Sequence, residues 1–107
     1  MTPSTAPDVF TAVADPTRRV LLERLRKDGP QSVSDLAESL PISRQAVTKH
    51  LDTLTDCGLI RQRWQGRRRL HDLNPRPLRE IDDWLRPYAE LWDQALSRLQ
   101  QHLEDNP

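Results

Sequence analysis

Apolar residues along the chain recur first at helical spacing, then at alternating spacing, then at helical spacing again. Phe10, Val13 and Ala14 predict a short helix over about 8–14. Asp15-Pro16 predicts the start of a second. Asp15 can cap it, and Pro16 suits a first helical position, where its missing N–H has no intrahelical partner. That helix should run to about residue 27, with Val20, Leu21, Leu22 and Leu25 as its apolar face, and end at Asp28-Gly29-Pro30. A tight helix pair follows. Ser32 or Ser34 can cap the first member, over about 34–40, whose buried side is Leu36, Ala37 and Leu40 before Pro41 stops it. Ile42-Ser43 makes the turn, and Ser43 caps a helix to about residue 57. Val47, Leu51 and Leu54 form its inward stripe, and Gly58 can end it in the left-handed conformation.

The period then shortens. Residues 59–64 and 68–73 are short extended runs around Gln65-Gly66-Arg67, which predicts a β-hairpin. Beyond Asn74-Pro75 the helical period returns. Leu78, Ile81, Leu85, Tyr88, Trp92, Ala95 and Leu99 form a heptad-like seam, widened by Trp84, Leu91, Leu96 and Leu103. Pro87 inside this stretch must kink or split the helix, and the favoured split gives a segment over about 76–85 followed by a long helix over about 87–104. The first seven residues, with two prolines, read as a disordered lead-in.

The order helix, helix, helix-turn-helix, hairpin, helix predicts a mainly α fold with a small β-hairpin, a winged helix-turn-helix over 8–75. Residues 76–104 extend the same domain, and their aromatic-bearing seam needs a partner to cover it. A composition only 36% hydrophobic and 30% charged agrees with a modest core completed by a partner subunit. No apolar run exceeds three residues, which argues against a transmembrane helix and any membrane partner, and the N-terminal stretch does not read as a signal peptide. The single cysteine, Cys57, excludes an intrachain disulfide and points to a reducing cytoplasm.

The net charge is zero, but its distribution is uneven. Residues 1–43 carry −1, residues 44–69 carry +5 and residues 70–107 carry −4. A positive segment between neutral and acidic ones suits a local phosphate-binding face. With Val47, Leu51 and Leu54 turned inward, the second helix of the pair directs Arg44, Gln45, Thr48 and Lys49 outward. These side chains can donate and accept at base edges in a major groove. Ser43 and the free N–H groups beside it can hold a backbone phosphate. His50 reads equally as a phosphate contact or a half-buried structural histidine. The hairpin adds Arg61, Arg63, Arg67, Arg68 and Arg69 beside Trp64, a wing able to follow the phosphate backbone or enter the minor groove. The alternative is a solvated hairpin whose arginines pair with the acidic C-terminal helix.

Several of these segments resemble one family. Asp15-Pro16-Thr17-Arg18-Arg19, Ser34-Asp35-Leu36-Ala37, Ser43 through Leu51, Cys57-Gly58-Leu59-Ile60 and Gly66 through Arg69 together resemble the ArsR/SmtB-type winged helix-turn-helix transcriptional regulators. The C-terminal pattern of Trp84, Leu85, Tyr88, Trp92, Leu96 and Leu99 resembles a branch of that family lacking the usual metal-binding motifs. The resemblance implies a homodimeric repressor, joined by the first and last helices through Phe10, Leu85, Tyr88, Trp92, Leu96 and Leu99, that binds double-stranded DNA at palindromic operators and is released by an inducer.

Thiophilic-metal sensors of the family carry paired cysteines at the start of the first helix of the pair. Here 33–38 contains none, so a soft metal has no ligands there. Asp82, Asp83, His102 and Asp105 do not match the spacing of the family's other metal site, and no metal or other cofactor is expected. Cys57 reads as a small buried residue rather than a redox sensor, since no resolving cysteine exists. His50, His71 and His102 lie in three different elements and no nucleophile motif or phosphate loop occurs, so an enzyme is not expected. Trp84, Tyr88 and Trp92 read first as dimer core, with an aromatic-lined pocket for a small-molecule inducer as the alternative.

Overall fold

Among the described residues, five helices and one hairpin follow in the order helix, helix, helix, helix, strand, strand, helix. The computed structural model describes residues 8–105, so the expected disordered lead-in at 1–7 lies outside the described residues. Helix α1 spans Val9–Ala14 and is capped by Asp8, whose carboxylate accepts from the Thr11 amide. Helix α2 spans Pro16–Asp28, with Asp15 as its cap and Pro16 in the first turn. Gly29, at φ +79°, ends α2 with its amide on Leu25 O.

Helix α3 spans Val33–Glu38, and of the two serines that could start it Ser32 does so. A reciprocal capping box forms: the Asp35 amide donates to Ser32 Oγ and the Ser32 amide to Asp35 Oδ2. Helix α4 spans Arg44–Asp56, with Ser43 Oγ accepting from the Ala46 amide at 3.1 Å. Gly58, at φ +85°, turns the chain out of α4. Asn74 locks that turn, its amide group donating to Gly58 O and its backbone N–H to Leu59 O.

Strand β1 (Ile60–Gln65) pairs antiparallel with β2 (Arg68–Leu73), from Ile60 opposite Leu73 to Gln65 opposite Arg68. The two residues between them, Gly66 and Arg67, make the turn, with Gly66 at φ +63°. The other edge of β2 is bridged by Gln31, which pairs with His71. This third backbone segment was not foreseen.

The core draws Val9, Ala12, Leu21, Leu25, Leu36, Val47, Leu51, Leu54, Leu59 and Ile60 into one cluster. Val20 is a correction: it is 40% exposed rather than part of the apolar face of α2. Leu21 and Leu25 lie one turn apart and fill the space above α4, which leaves Val20 on the solvent flank.

In the C-terminal stretch Pro87 does not split the helix: instead of the two segments favoured from the sequence, one helix, α5, spans Leu78–Asp105. Its 28 residues amount to about 42 Å. Pro87 and the residue whose carbonyl it leaves unbonded, Asp83, are both exposed, so water can take the freed carbonyl and the helix continues. At its start Leu78 and Ile81 pack on the core, and Trp84 meets the Phe10 ring edge-on at 5.9 Å. Every described residue from Leu91 onward is exposed. The radius of gyration, 18.8 Å, therefore exceeds the roughly 13 Å of a compact chain this long. No helix among the described residues is long and apolar enough to cross a membrane.

Candidate nucleic-acid interface

Burial of Val47, Leu51 and Leu54 orients α4. The opposite face then presents Arg44, Gln45, Thr48, Lys49 and Asp52, which line one shallow groove of about 420 Å³. Four of these were expected at this face. Asp52 was not singled out, although its position one turn beyond Thr48 follows from the same periodicity. Ser43 is exposed at the start of the groove.

His50, expected among the DNA-contacting residues, lies apart from them. It is half-buried, with a guanidinium nitrogen of Arg18 3.5 Å from its Nδ1 and the Asp15 carboxylate 4.0 Å away. Arg18 also donates to the carbonyls of Ala12 and Thr11. The Arg18 amide, donating to Asp15 at the cap, holds the Asp15 carboxyl below the usual range, and the His50 and Arg18 side chains add to the effect. Asp15, Arg18 and His50 thus tie the middle of α4 to the corner between α1 and α2.

The hairpin runs back alongside α4. Gln62 Nε2 donates to Thr55 Oγ1 near the end of the helix. Farther out, Thr48 and Asp52 of α4 share a cleft of about 420 Å³ with Gln62, Arg67, Arg69 and His71 of the hairpin. The wing tip is therefore level with the middle of α4. Arg67 and Arg69 are exposed at the mouth of the cleft. Arg63 is also exposed, but it is paired with Leu70 and so lies on the other face of the hairpin.

Arg68 crosses to α3 and pairs with Asp35, also reaching Ser32 Oγ at 3.4 Å. The acid it pairs with is thus on α3 rather than on the C-terminal helix, and its side chain stays exposed. The Ser32 backbone and side-chain hydrogen bonds hold the Asp35 carboxyl below the usual range, with Arg68 adding to them. Among the described residues no three His, Cys, Asp or Glu side chains group as metal ligands. Cys57 is half-buried, its thiol donating to Leu54 O at 3.3 Å.

A family described as "Helix-turn-helix domain" matches residues 13–63. The HTH-type transcriptional regulator Rv2034 of Mycobacterium tuberculosis is 40% identical over 93 residues, covering 86% of this chain and 83% of that protein. The transcriptional repressor SdpR of Bacillus subtilis is 32% identical over 89 residues, 83% of this chain and 98% of that one. An ArsR-like transcriptional regulator from Rhodococcus sp. RHA1 superposes with a TM-score of 0.70 at 36% identity, over 92% of this chain and 90% of its own.

The chain belongs to the ArsR family of winged helix-turn-helix regulators. It is a DNA-binding transcriptional regulator. In ArsR terms, α3 and α4 are the helix-turn-helix and β1–β2 is the wing.

Proposed function

We propose that this ArsR-family protein is a homodimeric repressor of palindromic operators. Helix α4 enters the major groove, where Arg44, Gln45, Thr48 and Lys49 read base edges while Ser43 and the first amides of α4 hold a phosphate. The wing follows the backbone or minor groove through Arg63, Arg67 and Arg69, with Arg68 shared between DNA and Asp35. The observation that carries this reading is the exposed face of α4 with its four reading side chains, joined through Thr48 and Asp52 to the cleft that the wing arginines line.

Residues 8–75 form the DNA-binding part and 76–104 the dimerisation part. Two copies join through α1 and α5, with Phe10, Leu85, Tyr88, Trp92, Leu96 and Leu99 at the seam. The bare outer half of α5 supports this pairing, because such an apolar face is stable in water only when covered. Release by a small-molecule inducer belongs to the same reading. An apolar cleft of about 300 Å³ between α2 and the start of α5, lined by Leu22, Leu73, Leu78 and Ile81, supports it. The function is regulatory rather than enzymatic.

Sequencing the genomic fragments that the protein retains, its own promoter included, tests the proposal. The expected result is a two-fold symmetric site with half-sites about 34 Å apart. Gln45→Ala or Thr48→Ala should then cost about 1–3 kcal/mol at that site and less on random DNA. Retention without sequence enrichment, or equal losses on both DNAs, overturns it.

A further inference from the structure

Trp64 is the one large hydrophobic side chain of the hairpin left in solvent, 67% exposed, while Ile60 and Leu70 are buried. Strand alternation places it on the face of Ile60 and Gln62, the face turned toward α4. Its cross-strand partner is Arg69, whose guanidinium carbon lies 5.9 Å from the indole centroid. This geometry matches a cation–π contact. The pair stands beyond Gln62 and His71, next to the turn and its arginines. The core does not use the indole, and the residues around it are cationic, which suits an anionic partner with an apolar surface. Double-stranded DNA has both: phosphates outside, and deoxyribose faces lining the minor groove.

We propose that Trp64 is a DNA-contacting residue of the wing, its indole packing on the deoxyribose wall of the minor groove with Arg69 clasped against it and reaching the adjacent phosphate. This inference rests on the DNA-binding reading above and names which part of the duplex the wing engages. The contact buries apolar surface and releases no counterion, so its signature differs from that of the arginines. Removing an arginine–phosphate contact flattens the salt dependence of binding by about 0.9 in log–log slope. Removing Trp64 lowers affinity at every salt concentration and leaves the slope unchanged.

The test uses a duplex selected by the protein from a random-sequence library, titrated at several salt concentrations. Trp64→Ala is expected to weaken binding about tenfold at constant slope, and Trp64→Phe only about two- to threefold. Arg67→Ala flattens the slope in the same assay. In fluorotryptophan-labelled wild type, the resonance of residue 64, assigned by its absence in Trp64→Phe, shifts on saturation with the duplex. Wild-type affinity in Trp64→Ala, or an unmoved resonance, overturns the inference while the DNA-binding reading stands. A wild-type protein that selects no duplex overturns both.

Discussion

His71 and Gln31, 40 positions apart, exchange both backbone hydrogen bonds, His71 N–H to Gln31 O at 2.8 Å and Gln31 N–H to His71 O at 3.1 Å. The imidazole Nδ1 reaches the same Gln31 carbonyl at 3.3 Å. The inner edge of the wing is thereby held to the entrance of α3. His71 is the one polar side chain buried among the described residues.

Burial pushes the His71 imidazole below its ordinary value. The Gln31 carbonyl and Asp52 oppose that shift, and Arg69 adds to it. The folded protein therefore holds His71 neutral, whereas the unfolded chain takes up a proton near pH 6.5. Stability from this group is complete above about pH 6.5 and is lost as pH falls toward the lowered folded value. Thermal melts from pH 8 to pH 5 should show a falling Tm, with a shallower fall in His71→Gln. Identical profiles in the two proteins would refute the assignment.

On the proposed reading, Asp35 competes with DNA for Arg68. Arg68→Ala should flatten the salt slope by less than the roughly 0.9 expected for Arg67→Ala, because its guanidinium is already partnered. Asp35→Asn frees that guanidinium and can still accept at the cap, so the slope should steepen. Equal effects of the two arginine substitutions would show that the ion pair with Asp35 does not restrain Arg68.

The exposed seam of α5 predicts assembly. Wild type should sediment as a dimer at micromolar concentration, and Trp92→Glu combined with Leu96→Glu as a folded monomer. Operator affinity should then fall by about 100-fold or more, since the second half-site no longer binds at high effective concentration. A double variant that remains dimeric would place the interface elsewhere.

Pro87→Ala should raise stability by about 2–3 kcal/mol in urea unfolding at fixed protein concentration. It restores the hydrogen bond to Asp83 and removes the ring from a helix interior. A lowered midpoint would mean that the ring itself is packed, against a partner rather than within the chain.

The parts of the fold legible in the sequence are those encoded locally. Asp15-Pro16, Ser43 and Gly58 each carry a backbone preference in their own chemistry, and the helices begin and end close to them. The outward face of α4 was readable because Val47, Leu51 and Leu54 occupy the opposite one. What escaped is non-local. The Gln31–His71 bridge is made by backbone atoms and leaves no side-chain pattern. The Asp35–Arg68 pair spans 33 positions between residues whose types merely permit it. His50 could not be placed because its surroundings come from Asp15 and Arg18, on another helix. Continuity through Pro87 depended on which side of α5 meets water, and periodicity alone does not reveal that.

The bare half of α5 also changes what a melting temperature means for this protein. On the proposed pairing, association adds to the stability of the folded chain, so the midpoint falls as the protein is diluted. The amount of protein in the cell then sets both how many operators are occupied and how much stability each copy draws from its partner.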